Sequence, residues 1–338
     1  MSSNEKKLEI VDIEFNYSEI LANDLYAIYW FNNTFTTFKS INDILYLIYT
    51  NEKNSIIAYN LIDNKKINEV KKAHYMHIIS FRYILDINNK RDLIISISAD
   101  DNNIKLWNIN NWELLTNIEN INENGFLYSS CFLNDNNQNY IITSNFNSPN
   151  SVELIKVFNF KGIKINEINN SNDNTLFIDI YYDNISSNNY IITGNKDYIK
   201  SYDYNNNKLY KIYSDNNIGF HYSIIINKKD EHIELIESCE DGNIRIWGFH
   251  SAELIKIINI IKGPLFDICL WNNEYLFVGC VDNIIKIINL KNGAIIKDLV
   301  GHNNRVITIK KISHPLKGDC IISQGWVENK IRLWINKK

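Results

Sequence analysis

The chain has 338 residues, of which 45% are hydrophobic and 22% are charged, and its formal net charge is −4 at pH 7. This composition is typical of a globular protein that can bury a large core. The mild negative charge gives no electrostatic support to binding of nucleic acid or of an acidic membrane surface.

The first predicted element is a strand near the amino terminus. Residues 7–15 largely alternate apolar and acidic side chains, as expected for a strand at the edge of a sheet. This segment precedes the first copy of the repeat that fills the rest of the chain.

One short pattern then recurs: Ile, a basic residue, a variable residue, and a large apolar or aromatic residue. Six copies follow a degenerate one at residues 56–59, and they lie at residues 104–107, 155–158, 199–202, 244–247, 285–288 and 331–334. Successive copies end 41 to 51 residues apart. That period is close to the length of a propeller blade.

Each copy is predicted to be the third of four strands. Its period-two alternation is that of a strand. An apolar strand precedes each copy, as residues 190–193 do in the fourth blade. A tight polar turn joins the two strands, as residues 239–243 do in the fifth blade. Residues 306–309 illustrate a still earlier strand, and residues 294–299 illustrate a last one. Four antiparallel strands repeated seven times, with no clear helix, predict an all-β, seven-bladed β-propeller.

The two ends of the chain are predicted to meet in the last blade. Only four residues follow Trp334, so the seventh blade lacks its outermost strand, and proteins avoid an unpaired strand edge. We therefore expect residues 8–15 to complete that blade and to close one domain spanning residues 1–338. The predicted blades cover residues 19–70, 75–119, 125–168, 175–213, 219–259, 264–299 and 304–336.

These repeats resemble those of the WD-repeat (WD40) family over essentially the whole chain. The pair Gly301 and His302 is similar to the family's glycine–histidine pair, and residues 241–247 are similar to its turn and third strand. No repeat keeps the Trp-Asp dipeptide, so we expect irregular blades and an incomplete histidine-to-tryptophan relay in most of them. The resemblance implies structural roles for His74, Asp101, Trp107, Asp197, Asp241, Trp247, Asp282, His302 and Trp334.

The cysteines and the absence of targeting segments indicate the cellular compartment. The five cysteines are odd in number and widely spaced, which indicates a reducing compartment. The amino terminus lacks the apolar stretch of a signal peptide, and no apolar run is long enough to span a membrane. We therefore expect a cytoplasmic or nuclear protein without membrane insertion.

No motif for catalysis or cofactor binding stands out. Glycine-rich phosphate loops and the nucleophile elbow are missing. His74 and His77 are the only close histidine pair, and a tetrahedral metal site needs further ligands. Asp101, Asp241 and Asp282 follow the turns, where they lock hairpins through backbone hydrogen bonds. We therefore expect no enzyme, no metal and no cofactor.

The basic residue of each repeat is a candidate contact for nucleic acid. The six cations lie on different blades, however, and tracking of phosphates needs a cluster. We interpret them as a solvated face and expect no nucleic acid partner.

By the resemblance, partners are expected on the face with the loops into each first strand and the turns between second and third strands. Aromatic and arginine side chains dominate interface hot spots. The candidates on this face are His77, Phe126, Phe220, Phe266, Arg305 and Trp326. Trp112 and Trp271 lie toward the opposite face and form a second candidate patch.

Two functional classes stay open. The lack of a catalytic set favours a scaffold, a monomeric propeller that binds other proteins within a larger complex, and a large exposed apolar patch would support it. The alternative is an enzyme or small-ligand receptor that uses the central channel. Polar groups that converge in a deep pocket would support that alternative.

Overall fold

The computed structural model describes residues 15–22, 25, 33–119, 121, 125–147, 154–169, 175–216, 219–229 and 232–336. Over these residues, 28 strands form seven antiparallel sheets of four strands each. The first strands of neighbouring sheets contact one another all the way around. The predicted seven-bladed β-propeller is therefore confirmed.

The strands are numbered in chain order, and the first is β1 (Phe15–Ala22). Blades one to three contain β2 (Thr36–Lys39), β3 (Leu45–Thr50), β4 (Ile56–Asn60), β5 (Lys65–Val70), β6 (Ile78–Asp86), β7 (Arg91–Ser98), β8 (Asn103–Asn108), β9 (Glu113–Ile118), β10 (Gly125–Asp135), β11 (Gln138–Asn147), β12 (Leu154–Asn159) and β13 (Lys164–Asn169). Blades four to six contain β14 (Phe177–Asp183), β15 (Asn188–Gly194), β16 (Ile199–Asp203), β17 (Lys208–Tyr213), β18 (His221–Lys229), β19 (His232–Cys239), β20 (Asn243–Gly248), β21 (Leu254–Asn259), β22 (Leu265–Trp271), β23 (Tyr275–Cys280), β24 (Ile284–Asn289) and β25 (Ile295–Val300). Blade seven contains β26 (Val306–His314), β27 (Gly318–Gly325) and β28 (Ile331–Asn336).

The inner strands of the blades are buried because neighbouring blades cover both of their faces. β3, β15 and β23 are buried at every residue, which explains the nearly continuous apolar sequences of β3 and β23. The outermost strand is half exposed: in β21, Ile255 and Ile257 are exposed whereas Ile258 is buried. Hydrophobic clusters fill all seven gaps between adjacent blades, so the core is a ring of seams.

Asparagine closes many of the tight turns. Asn54, Asn102, Asn207 and Asn283 all have φ between 54° and 70°. The left-handed region costs most L-residues energy, but the short polar side chain of asparagine tolerates it. The many asparagines between strands therefore have a structural use.

The two ends of the described chain pair in blade seven. β1 runs antiparallel to β28, with Phe15 opposite Asn336 and Ala22 opposite Ile331, which gives the order β1-β28-β27-β26. Of the residues predicted for this strand, 8–15, only Phe15 is described, and residues 8–14 lie outside the described residues. Residues 19–22, predicted in blade one, also belong to β1. The buried Phe15 ring lies 5.0 Å from the Trp271 ring of blade six, a contact that ties β1 to the neighbouring blade.

Candidate functional site

In blade two, a buried histidine links the loop before the first strand to the second and third strands. His74 Nε2 lies 2.8 Å from Ser96 Oγ, and Trp107 Nε1 donates to the same oxygen at 2.9 Å. Asp101 Oδ2 lies 3.4 Å from His74 Nδ1 and accepts a hydrogen bond from the Tyr75 amide at 3.0 Å. Burial lowers the pKa of His74, so the neutral imidazole is favoured. The geometry is that of a structural clamp within one blade.

Blade seven contains the same relay with a glutamate in place of the turn aspartate. His302 Nε2 lies 2.7 Å from Ser323 Oγ, to which Trp334 Nε1 donates at 2.7 Å. Glu328 Oε2 lies 2.6 Å from His302 Nδ1. Burial raises the pKa of Glu328, but the hydrogen bonds from His302 and from the Asn303 amide outweigh it, so the pKa is lowered. Glu328 therefore holds the turn against the preceding loop.

Blade five has a buried network that sequence reasoning missed. His221 Nδ1 lies 2.5 Å from Glu237 Oε2, and Trp247 Nε1 donates to Glu237 Oε1 at 2.9 Å. His221 and Glu237 are 1% and 0% exposed. The available signal was a glutamate inside the apolar second strand, at the position that serine holds in blades two and seven.

The prediction that the repeated cations form a solvated face is wrong. Four of them are at most 7% exposed: Lys200, Arg245, Lys286 and Arg332. Arg245 donates to Asp215 at 2.7 Å and to both oxygens of Asp241 at 3.2 and 2.7 Å. Lys105 donates to the Ala73 carbonyl at 2.7 Å. Ala73 and Asp215 lie in the loop before the first strand of their blades. In blades two and five the cation therefore binds this loop, and the loop shields the charge from water.

The other two turn aspartates make different contacts. Asp282 lies 3.3 Å from Lys286 and accepts a hydrogen bond from the Ile284 amide at 3.3 Å. Asp197 is exposed, and its backbone carbonyl accepts a hydrogen bond from Ser214 at 3.4 Å. Asp282 thus resembles Asp241, whereas Asp197 is tied to the neighbouring loop through its backbone.

Four of the six candidate face residues meet where blades five, six and seven converge. Tyr222, Phe266 and Ile307 occupy the second position of β18, β22 and β26, and together form a buried cluster. The partly buried Phe220 and Trp326 pack against this cluster. We call the following set the apex patch: Phe220, Tyr222, Val281, Phe266, Arg305, Ile307, Trp326 and Val327.

A stacked arginine lies at the centre of the apex patch. The Arg305 guanidinium carbon is 4.0 Å from the Trp326 ring centroid and 5.8 Å from that of Phe266, within the range of a cation–π interaction. Arg305 and Trp326 are half-buried. Phe266 is only 1% exposed, so the prediction that it contacts a partner is wrong. It forms the floor on which the stack lies.

The turn that carries Trp326 is strained at its next residue. Val327 has a φ of 54°, which is an outlier for a β-branched residue. Its side chain is 58% exposed, so burial does not explain the conformation. Glu328 holds the turn in place by accepting hydrogen bonds from the Asn303 and Asn304 amides. Such strain, held in place by its surroundings, is concentrated at functional sites.

The remaining two candidates, His77 and Phe126, form a separate group on blades two and three. His77 Nδ1 lies 3.5 Å from Asp100 Oδ2. Phe126 is 52% exposed and stacks on Tyr128 at 6.4 Å. Burial, and secondarily the charge of Asp100, raise the pKa of Tyr128. The structure therefore divides the predicted face into two areas.

Of the second predicted patch, on the opposite face, only Trp271 is buried. Trp271 is 4% exposed and packs on Phe15 and Phe277. Trp112 is half-buried beside Tyr46, at 6.4 Å. Trp271 is part of the hydrophobic seam between blades six and seven, and Trp112 packs against the seam between blades one and two.

The innermost strands surround a cavity of about 110 Å³. Its polar lining consists of Asn33, Arg82, Asp179, Ser223, Asp267 and Lys310. Pockets for drug-sized ligands are larger, roughly 300 to 1,000 Å³. Among the described residues, no group of three or more His, Cys, Asp or Glu is placed to hold a metal ion.

Comparison with known proteins does not assign the chain to a family. No protein-family model matches it, and no curated protein sequence matches it. Within the part of the chain that the structure describes, no helix is long and apolar enough to cross a membrane. Function is therefore argued from the fold and the site geometry.

Proposed function

We propose that this propeller is a non-catalytic scaffold that binds a partner protein through the apex patch, as a subunit of a larger complex. The observation that carries the proposal is the Arg305–Trp326 stack over a buried aromatic floor. Arginine and tryptophan are enriched among the residues that dominate binding energy at interfaces. Val327 adds an exposed apolar side chain beside them.

The stack lowers the entropic cost of binding. Immobilising a rotamer-rich side chain at an interface costs about 0.5 to 1.5 kcal/mol. Arg305 already lies against Trp326, and the Trp326 amide donates to the Arg305 carbonyl at 2.8 Å. Both side chains are thus held in place before a partner arrives, which favours binding.

The kind of partner follows from the position of the charges. Four of the six repeated cations are at most 7% exposed, so they are inaccessible to the phosphates of a nucleic acid. The histidine–serine–tryptophan relays of blades two and seven support a relationship to WD-repeat proteins. The resemblance implies protein binding on the face where the apex patch lies.

The test is affinity purification of the full-length tagged protein from its own cells, followed by mass spectrometry. We expect a stoichiometric partner with the wild type, and its loss with Trp326→Ala/Arg305→Ala, because truncating each hot-spot residue costs about 2 kcal/mol. Arg91→Ala, which removes an arginine from the surface of blade two, away from the apex patch, should keep the partner. The far-UV circular dichroism and the cooperativity of thermal unfolding of the double variant should match the wild type, since both side chains are half-buried.

Two results would overturn the proposal. A partner recovered equally with the wild type and the folded double variant would place binding on another surface. The absence of any stoichiometric partner, with the protein running as a monomer, would refute the scaffold role itself.

A further inference from the structure

The central cavity contains two pairs of opposite charges contributed by four blades. Arg82 comes from β6, Asp179 from β14, Asp267 from β22 and Lys310 from β26. The formal charges therefore sum to zero within one small space. In such a space the effective dielectric is lower than in water, so each charge interacts more strongly with its neighbours.

The Asp267–Lys310 pair has a structural role. Asp267 is 1% exposed, and it accepts hydrogen bonds from Ser223 Oγ at 2.8 Å and from the Ile268 and Ile309 amides at 3.0 and 2.8 Å. Lys310 Nζ lies 3.9 Å from Asp267 Oδ2, the oxygen that also accepts the Ile309 amide. These contacts join blades five, six and seven, and they use the hydrogen-bonding capacity of the carboxylate.

The Arg82–Asp179 pair has mostly neutral partners. Arg82 donates to the Ile178 carbonyl at 3.5 Å, which is a long hydrogen bond. Asp179 accepts from the Ile180 amide at 2.8 Å. Both charges act on the same buried thiol of blade three: burial raises the pKa of Cys131, Asp179 raises it further, and Arg82 lowers it. A guanidinium and a carboxylate therefore face one cavity, each bound to a backbone group.

The charges define the class of ligand. A simple anion attracted by Arg82 would also meet the two carboxylates, and a simple cation would meet Arg82 and Lys310. A ligand with one charge of each sign avoids both penalties. The cavity volume of about 110 Å³ is well below the roughly 300 to 1,000 Å³ of pockets for drug-sized ligands, which favours a small ligand.

We infer that the cavity binds a small zwitterion of the α-amino acid class. The ligand carboxylate binds the Arg82 guanidinium in a charge-assisted, two-bond geometry, and its ammonium group binds Asp179. Asn33 and Ser223 supply further polar groups on the wall. This site is independent of the protein-binding proposal, because it uses the channel and not the apex patch.

Isothermal titration of the full-length wild type with glycine, L-alanine and L-serine tests the ligand class. We expect saturable binding of at least one of them and a rise in the melting temperature on its addition. Acetate and methylammonium each carry one half of the zwitterion and should bind at least about tenfold more weakly. Equal binding of acetate, or no heat from any amino acid up to about 10 mM, would overturn the inference.

Two variants that each remove one charge test the residues. Arg82→Gln and Asp179→Asn should each weaken amino acid binding at least about tenfold, since each removes one charge-assisted contact. Arg91→Gln lies on the same hairpin, outside the cavity lining, and should keep the wild-type affinity. Trp326→Ala/Arg305→Ala should also keep it, which separates this site from the apex patch. Unchanged affinity in both cavity variants would refute the assignment.

Discussion

Replacing Arg245 with methionine tests whether the repeated cation holds each blade together. The change keeps an unbranched side chain but removes three charge-assisted hydrogen bonds to Asp215 and Asp241. Removing one partner of a buried ion pair costs about 3 to 5 kcal/mol. The two carboxylates are 18% and 21% exposed, so water compensates part of the loss. We expect the free energy of unfolding to fall by about 2 to 3 kcal/mol.

The same substitution should also change how the stability of the fold depends on acidic pH. Burial raises the pKa of Asp241, but the hydrogen bonds from Arg245 and Asn243 outweigh it and lower the pKa from 3.8 to about 2. A carboxyl with a depressed pKa stabilises the fold above its unfolded value, and the stabilisation is lost as the pH falls through the folded value. Between about pH 4 and pH 2, Arg245→Met should therefore lose less further stability than the wild type.

Urea unfolding followed by tryptophan fluorescence measures both effects. Lys66→Met is a suitable control, because Lys66 is 51% exposed and forms a surface pair with Glu69. That control should change the free energy of unfolding by less than about 0.5 kcal/mol. If Arg245→Met loses no more than the control at pH 7, the repeated cation does not hold the blade, and the reasoning is refuted.

Two further predictions concern the histidine relays and the strained turn. Burial lowers the pKa of His74 and His302, so they favour the fold above their unfolded pKa of about 6.5 and cost stability as the pH falls. Urea unfolding should show lower stability at pH 5 than at pH 7, and His302→Gln should reduce that difference; an undiminished difference would contradict the assignment. Val327→Gly should raise the free energy of unfolding by about 0.5 to 1 kcal/mol, because glycine adopts positive φ without strain. Val300→Gly, at a 71% exposed strand position, should lower it, and a loss in both variants would show that Val327 is not strained.

The fold could be predicted because its signals are local. The spacing of the copies that end at Trp107, Trp247 and Trp334 counts the blades, and alternation within each copy marks a strand. The closing strand could not be placed by the same means. Alternating side chains show that a segment can pair at an edge, but which residues pair with β28 depends on contacts far away in the chain, such as that between Phe15 and Trp271.

The candidate site could be predicted only in part. Residue type and loop position indicated Arg305 and Trp326, and the structure brings them into contact. The same reasoning chose Phe266 and Trp271, which are buried. An aromatic residue at the start or end of a strand has the same sequence context whether it faces water or a neighbouring blade, so exposure could not be inferred.

By itself, the sequence determined the number of blades, the strand order within them and the position of the tight turn around residues 241–247, because these depend on neighbours along the chain. Only the tertiary structure decided which charges meet. The partners Arg245 and Asp215 are 30 residues apart, and Ile309 and Asp267 are 42 apart. Their distances are set by how the blades pack around the ring, a property of the closed structure that spacing in the sequence does not contain.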